Sequence, residues 1–474
     1  MGSRSGVGSD SGLGSGSGGS VVGRYRWVIC GLLFAASAIN YVDRQIIGVL
    51  KPTLQLEYGW TESAFANIVF WFQAAYAVGY LGFGKFIDRV GARLGFAAAV
   101  VVWTIAHVAH ALATSIGGFI AARMVLGLGE SGNYPAGLKA IAEWFPQRER
   151  ALAAGILTAG ANVGAVVTPL IVPAITVALG WRASFVVTGS FSLVWLIFWL
   201  KIYRRPEEHP RVGAAELAFI NSDRDPGAPG AIARDNTAAR DNSATDDTAI
   251  GDTTPIPWRR LLTLRETWAF TLGRFLIDPI WWMFLFWLPD FFAKRYHLNL
   301  VDFGPPLAVV YIVSDFGSIA GGWLSSLLIR RGATVNVARK LAMLISALLV
   351  IPVMFAMYAH SLWLAVAIVG LATAGHQGFS ANLYTFPSDV FPKKAVASVV
   401  GIGGTAGAVG GMLMSKYAGW VLDSIGSYTP IFVVAGTVYL LALAVIHLLS
   451  PRMEAVKIAP DRPVPTAGAD VSRL

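Results

Sequence analysis

Four ionisable residues lie inside apolar stretches of this chain: Asp43 and Arg44 in the first stretch, Arg123 and Glu130 in the fourth. Charge held in hydrocarbon is costly, and side chains kept there mark an ion or substrate pathway by default. Two carboxylates beside two guanidiniums have the chemistry to bind an anion and to move protons. Arg123 and Glu130 are seven residues apart, two helical turns, so both face one way with ~10 Å of axial rise between them. Asp43 and Arg44 are adjacent, about 100° apart around their helix, and can address a neighbouring helix and a cavity separately. The bland alternative is two static salt bridges stitching helices together. A buried pair is weak support for stability, since desolvation roughly cancels the attraction.

The elements that must position these groups are membrane-spanning helices. Of 474 residues, 55% are hydrophobic and only 14% charged, with 16 Trp and 26 Phe, where a soluble protein is about a quarter charged. Twelve apolar stretches read as spans, near 27–49, 64–86, 94–113, 118–140, 151–178, 184–203, 268–292, 305–328, 339–358, 362–386, 395–421 and 428–449. Most are about the 20 residues that cross ~30 Å of hydrocarbon. Twelve spans put both termini on one side. On that side fall Arg24, Arg26, Lys85, Arg89, Arg93, Arg148, Arg150, Arg204, Arg205, Arg330, Arg331, Lys393 and Lys394, whereas the opposite loops offer only Lys51, Arg182, Lys294 and Arg295. The positive-inside rule then predicts that both termini are cytoplasmic. The +9 net charge speaks to orientation in a membrane and not to nucleic acid, because the Lys and Arg sit in short loops.

A single cysteine, Cys30, excludes an internal disulfide. Residues 1–23, almost all Gly and Ser, read as a disordered cytoplasmic tail, and no removable signal peptide is expected. The polar stretch 204–264 reads as a cytoplasmic linker, with 222–253 disordered, between a six-helix half at 24–203 and another at 265–450; residues 451–474 form a second tail. The halves resemble each other. Gly129-Glu130-Ser131-Gly132 and Glu143-Trp144-Phe145-Pro146 recur as Gly375-His376-Gln377-Gly378 and Asp389-Val390-Phe391-Pro392, both at an offset of 246 residues. A parallel repeat of six-span halves predicts a site near mid-membrane between the halves.

The segment Gly84-Lys85-Phe86-Ile87-Asp88-Arg89-Val90-Gly91-Ala92-Arg93 resembles the signature loop between helices two and three of the major facilitator superfamily. Its second-half counterpart, Gly322 through Arg330-Arg331-Gly332, lacks the acidic residue. Asn40-Tyr41-Val42-Asp43-Arg44, Arg123 through Glu130, and Trp144-Phe145-Pro146 with Glu149-Arg150 resemble the anion:cation symporters of that superfamily. Arg274 through Trp282 and His376 through Asn382 are similar to the bacterial hexuronate transporters of that branch. The resemblance covers roughly residues 24–450 and leaves out both tails and the linker.

The resemblance implies that the first and fourth spans line the cavity, that Asp43 sits near Arg123, and that Glu130 is closer to substrate. It further implies that Arg44 binds the substrate carboxylate through its planar bidentate fork, with Tyr41 and Tyr76 offering hydroxyls to a polyol. Asp43 and Glu130 are then the proton-coupling pair. An anion that takes over the arginine strips the carboxylate of its partner and favours its protonation, so anion and proton uptake are linked. By the resemblance Asp88, Arg89 and Arg93 are expected to latch the inward-closed state, with a solvated basic loop as the alternative for Arg89, and Glu143 and Asp389 belong to related gating networks.

Further polar residues are candidate substrate contacts. Arg274 and Asp278, spaced i, i+4, either neutralise each other or offer Arg274 to the substrate. Pro279 is expected to break that helix, as is common beside transporter sites. Trp281 and Trp282 either stack on a sugar ring or pack. His376, at the repeat position of Glu130, either bonds substrate hydroxyls or joins the proton route, or is a satisfied core histidine. Gln377, Ser380, Asn382 and Asn162 bring hydrogen-bonding groups suited to a polyhydroxylated ligand. His107 and His110 read as core histidines. Gly160-xxx-Gly164 and Gly403-xxx-Gly407-xxx-Gly411 read as sliding contacts for rocking of the halves. There is no Walker loop, metal-ligand cluster or nucleophile motif, so no cofactor, metal or enzymatic activity is expected.

The expectation is an all-α, twelve-helix major facilitator in a bacterial inner membrane. It imports a sugar-acid anion, most simply a hexuronate such as galacturonate or glucuronate, with protons, by alternating access and as a monomer. Aldonates, aldarates and aromatic carboxylates are the alternative substrates; uniport and anion exchange are the alternative mechanisms. A non-transporting membrane sensor is a remote third reading.

Overall fold

The structure, a computed structural model, describes residues 23–222 and 257–456. The disorder expected at 1–23 and 222–253 lies outside the described residues except at residues 23 and 222, as does the expected tail at 451–474 beyond residue 456.

Sixteen α-helices make the described chain, which holds no strand. In the first half these are α1 (Arg26–Tyr58), α2 (Glu62–Val90), α3 (Ala92–Ala109), α4 (Ile116–Glu130), α5 (Asn133–Trp144), α6 (Gln147–Leu179) and α7 (Trp181–Ile202). Two short helices, α8 (Ala214–Ile220) and α9 (Trp258–Leu261), belong to the linker. The second half comprises α10 (Arg265–Tyr296), α11 (Gly304–Arg330), α12 (Val335–Val350), α13 (Leu362–Leu383), α14 (Phe386–Val390), α15 (Lys393–Ser424) and α16 (Thr429–Leu449). The helices start where side chains satisfy orphan amides. Thr61, Ser115, Thr334 and Ser361 each accept from the amide three residues on, opening α2, α4, α12 and α13. Gly59, at φ 65°, closes α1 in the left-handed conformation that glycine adopts without penalty.

Among the described residues, nine helices are long and apolar enough to cross a membrane, and α2, bent by 43° after Tyr80, makes a tenth. The two crossings outside that set are α1 and the interrupted α4–α5, which carry Asp43, Arg44, Lys51, Arg123 and Glu130. The charges that weaken the apolar signal are thus concentrated on the two helices that hold the site. Large apolar side chains such as Leu193, Ile197, Phe316, Ile319 and Trp323 face outward and exposed, as a lipid-facing surface requires and a water-facing one avoids.

Packing repeats between the halves. In the first, α1 packs on α6 and α7, and α2 on α4; in the second, α10 packs on α15 and α16, and α11 on α13. The halves meet through α2 with α15, α11 with α6, and α1 with α10. The first two contacts exchange under the repeat, and the third lies on its axis.

Several expectations need correction. Proline does not break α10: it runs unbroken through Pro279 and Pro289. Its buried, tightly packed surroundings hold the helix across the missing amides, a tolerance seen in bundles where neighbours re-satisfy the backbone. The interruptions fall instead at Ser131-Gly132, between α4 and α5, and at Tyr384-Thr385, between α13 and α14. The glycine stripes do not lie on the seam between halves. Gly160 and Gly164 seat on the α1 backbone at Phe34 and Ala38, and Gly403 and Gly407 seat on Phe270 and Asp278 of α10. They are fixed seams within each half; only Gly411 also reaches across, to Gln73. Lys51 is not a loop residue, because α1 continues to Tyr58 and buries it.

Candidate functional site

Asp43 and Glu130 are 0% exposed and Arg123 is 1% exposed, all at the middle of the first half. Adjacent positions on α1 send Asp43 and Arg44 to different neighbours, as their angular separation requires. Arg44 Nε donates to Glu130 Oε2 at 2.8 Å, and its Nη2 donates to Asn40 Oδ1 at 3.2 Å. The guanidinium carbon lies 4.9 Å from the ring centres of both Tyr41 and Tyr76, 5.4 Å from Trp282 and 5.8 Å from Phe72. Aromatic faces attract a guanidinium and remain in place when its carboxylate partner changes. Trp282 belongs to α10, so Arg44 sits where the halves meet.

Asp43 turns toward α3 and α7. Its Oδ2 accepts from Ser192 Oγ at 3.1 Å, and its Oδ1 lies 3.2 Å from His107 Nε2. Arg123 reaches α1 at the Arg44 carbonyl oxygen, 3.1 Å from Nη1, beside Asp43 in the chain. Among the described residues, Arg123 Nε and Nη2, Glu130 Oε1 and Asn40 Nδ2 are buried without a hydrogen-bond partner. Asp43 Oδ1 is unpartnered as well, and native proteins leave few such groups unpaired. Arg44 and Glu130 form a buried cation–carboxylate pair that joins α1 to α4.

A second polar cluster faces this one from the other half. Arg274 Nε and Nη2 donate to Asp278 Oδ2 at 2.8 and 2.5 Å, the Tyr384 hydroxyl lies 3.4 Å from Asp278 Oδ1, and Arg274 stands over the Tyr384 ring at 4.6 Å. His376 Nδ1 is 2.6 Å from the Tyr439 hydroxyl and its Nε2 is 3.4 Å from Ser380 Oγ. Its ring stacks on Trp281 at 5.3 Å and 8°. Gln377 and Asn162 are half-buried. Asn382 is not brought to the cluster: its Nδ2 donates to the carbonyl oxygens of Gly321 and Gly378 at 3.0 and 2.9 Å, pinning α13 to α11.

The residues expected to gate the cytoplasmic end find partners within their own halves. Asp88 pairs with Lys139 at 3.1 Å, Arg93 donates to the Leu200 carbonyl at 2.6 Å, Glu143 accepts from the Tyr203 hydroxyl at 2.6 Å, and Asp389 pairs with Arg339 at 3.1 Å; Arg89 is exposed.

Polar contacts between the halves cluster at the other end, called outer below, away from the described chain ends. Lys51 Nζ lies 2.6 Å from Glu62 Oε2 and 2.9 Å from Asp290 Oδ2; Lys294 Nζ lies 2.5 Å from Glu62 Oε1 and 3.1 Å from Asp290 Oδ2. Tyr428 also donates to Asp290. Asp423 of α15 accepts from the first two amides of α2, Glu62 at 2.9 Å and Ser63 at 2.8 Å, and so caps a helix of the opposite half. Lys416 donates to Asn67, and Ser415 donates to Gln73 at 3.2 Å. A recess of about 510 Å³ on this face, lined in part by Gln55, Glu62, Lys294 and Asp423, ends on the ion-pair network.

The family model described as Major Facilitator Superfamily matches residues 33–337 and 333–470. The chain belongs to the Major Facilitator Superfamily. This major facilitator is 29% identical over 438 residues to the hexuronate transporter of Escherichia coli (strain K12), with 92% of the chain and 96% of that protein covered. It is 30% identical over 328 residues to the galacturonate transporter of Dickeya chrysanthemi, covering 69% and 89%. A solved bacterial homolog of the human lysosomal transporter Spinster, inward-facing and occupied, superposes with a TM-score of 0.67 at 17% identity, covering 90% of this chain and 97% of that one. At that identity the likeness speaks to the fold.

Sequence reasoning on this major facilitator missed the pairing of four residues. Lys51 follows Arg44 by seven residues, the same two-turn spacing that linked Arg123 to Glu130, and that signal places it on the Arg44 face of α1. Asp290 and Lys294 repeat the i, i+4 pattern of Arg274 and Asp278 with the signs exchanged. His107, read as a core histidine, lies against Asp43.

Proposed function

We propose that this major facilitator imports a sugar-acid anion, most simply a hexuronate such as galacturonate or glucuronate, together with protons, across a bacterial inner membrane. The observation that carries the reading is the buried Arg44–Glu130 pair inside its aromatic surround. A substrate carboxylate entering beside Arg44 competes with Glu130 for the guanidinium. Glu130, enclosed and deprived of its cation, takes a proton, because an unpaired buried carboxylate favours its neutral form. Loss of the anion restores the pair and expels the proton. Tyr41, Tyr76 and the His376–Ser380 group supply hydroxyl partners on either side, and Trp281 and Trp282 supply flat apolar faces of the kind that suit a sugar ring. The kinship with hexuronate and galacturonate transporters supports the substrate class.

Alternating access in this reading is rocking of the halves about the seam of α1 with α10. The Lys51–Glu62–Asp290–Lys294 network and the Asp423 cap hold the outer end shut, and Asp88, Arg89 and Arg93, with Glu143 and Asp389, serve the cytoplasmic end in the opposite state. The protein works as a monomer, with both termini cytoplasmic.

The test is uptake of labelled D-galacturonate into proteoliposomes under an imposed inward proton gradient, with potassium–valinomycin potentials superimposed. Accumulation that follows the gradient is expected. If Asp43 and Glu130 both load, net charge enters and a potential adds ~2.3 kcal/mol per charge per 100 mV. No uptake by folded protein would remove the hexuronate assignment.

A second reading is favoured by one observation. Arg274 repeats in the second half the guanidinium–carboxylate arrangement of Arg44, so two cations face the centre from opposite halves and match an aldarate with a carboxylate at each end. Competition of galacturonate uptake by aldarates separates the two.

A further inference from the structure

Three buried groups on one face of α3 and the turn that follows it remain outside the mechanism above: Thr104, His107 and His110, each three residues from the next. Both histidines are 0% exposed. Their hydrogen bonds fix where their protons sit. The Thr188 hydroxyl donates to the Ser184 carbonyl at 2.7 Å, so its oxygen accepts from His107 Nε2, 2.8 Å away. The same nitrogen lies 3.2 Å from Asp43 Oδ1, a buried oxygen that bonds nothing among the described residues, so the Nε2–H points to Thr188 beside an unpartnered carboxylate oxygen. His107 Nδ1 is therefore the basic nitrogen, and among the described residues it bonds nothing. His110 donates from Nδ1 to the Ala106 carbonyl at 2.8 Å, which leaves its Nε2 as the basic nitrogen, also unpartnered. The ring centres are 6.3 Å apart. Thr104 Oγ1 is a further buried unpartnered group on this face. His110 opens the single turn that ends α3 at the outer end of the protein, next to exposed Leu112.

We propose that His107 hands protons to and from Asp43, and that His107 and His110 form a proton branch along α3 toward the outer face, separate from the anion site of Arg44 and Glu130. The proposal rests on the proton-coupled reading above. A proton from outer-side water binds His107 Nδ1, by way of His110 Nε2. The hydrogen on His107 Nε2 then turns from Thr188 to the nearby unpartnered Asp43 Oδ1 and passes to it, leaving a neutral imidazole and a neutral acid; the reverse step discharges Asp43. The ionisable groups around the branch are Asp43 of α1, and Arg123 and Glu130 of α4. From α7, Ser184, Thr188 and Ser192 bring hydroxyls, and at the outer mouth Arg182 is bound to Glu57 and Tyr58. Ser192, itself accepting from Trp103 at 3.1 Å, holds the other oxygen of Asp43, so the carboxylate presents Oδ1 to the histidine.

The experiment compares wild-type protein, His107→Gln and His110→Gln in proteoliposomes, reading gradient-driven D-galacturonate accumulation and substrate counterflow across pH. A glutamine amide can donate to Asp43 and Thr188 but cannot carry a proton, so a purely structural histidine tolerates it. The expected result for His107→Gln is counterflow near wild type, with accumulation reduced about tenfold or more and its pH profile flattened. Accumulation with the wild-type profile overturns the proposal. If His107→Gln loses counterflow as well, His110→Gln decides: accumulation lost with counterflow kept supports the branch, and any other result overturns it. Wild-type protein whose substrate accumulation does not respond to an imposed proton gradient overturns the coupled reading and this inference with it, and that failure is visible before any variant is made.

Discussion

Arg44 Nε stands 2.8 Å from Glu130 Oε2, 86 residues away in the chain, while the residue beside Arg44, Asp43, faces His107 and Ser192. One turn of α1 therefore serves two carboxylate sites that do not share a hydrogen bond. Glu130 is tied to the cation that an anionic substrate would seek, and Asp43 to groups that no substrate at Arg44 would touch. A transporter that loads two protons for one anion needs sites separated in this way, since two carboxylates sharing one partner would oppose each other's charge.

Replacing Arg44 by Ala removes the cation that would receive the substrate carboxylate and leaves Glu130 buried without a partner. Truncating one member of a buried charge pair costs about 2–5 kcal/mol, so saturable binding of D-galacturonate is expected to weaken by about thirtyfold or more. Titration calorimetry on purified protein measures it, and wild-type affinity in the variant would dismiss the assigned role.

Glu130→Gln keeps the shape and removes the proton site. The amide stays neutral in every state, so exchange of bound for free substrate continues while uphill accumulation stops. Counterflow and gradient-driven uptake, measured on the same vesicles, separate the two. Unimpaired accumulation would move coupling away from Glu130.

Much of this was legible in the sequence because membrane burial makes charge conspicuous. Asp43, Arg44, Arg123 and Glu130 stood out against apolar surroundings, and an angular offset of about 100° foretold that Asp43 and Arg44 would part company. The 246-residue repeat placed His376 opposite Glu130. What escaped was pairing across the chain. Lys51 looked like a loop charge because the apolar run stops before it, although α1 continues through Pro52 to Tyr58 under cover of Asp290 and Glu62. His107 looked satisfied because nothing local in the sequence brings α1 to α3. Pro279 looked like a break because propensity is local, while the packing of α10 against α15 is not.

Lys51 and Asp290 are both 0% exposed and join α1 to α10 across the halves. Lys51→Ala leaves Asp290 with Lys294 and Tyr428, and Asp290→Ala leaves Lys51 with Glu62; each removes one charged hydrogen bond and is expected to disfavour the outer-closed state by about 1.5–3 kcal/mol. The double variant removes both buried charges and should cost less than the sum of the singles, the signature of direct coupling. A cysteine at Ser415, buried on the seam, in a Cys30→Ser background reports the state through its labelling rate with an impermeant thiol reagent applied to the outer face. Additive effects on that rate would mean that the pair does not hold the seam.

Asp423 tests the same closure by a different force. The first amides of any helix lack intrahelical acceptors, and the helix dipole leaves partial positive charge there. In α2 those amides, Glu62 and Ser63, are met by a carboxylate from the other half at 2.9 and 2.8 Å. Thr61 covers the next one, Ala64, from within α2. If the outer ends part as proposed, Thr61 keeps its bond and Asp423 loses both of its own, so the cap would stabilise only the closed state. Asp423→Asn retains one acceptor oxygen but no charge, and a lost cap costs about 0.5–2 kcal/mol. The outer-closed population should therefore fall by about two- to thirtyfold, read as faster labelling at Ser415→Cys. The thermal midpoint should stay near wild type, because the amides freed in the open state meet water. A large loss of thermal stability without a change in labelling would make the contact part of the general fold and not of the gate.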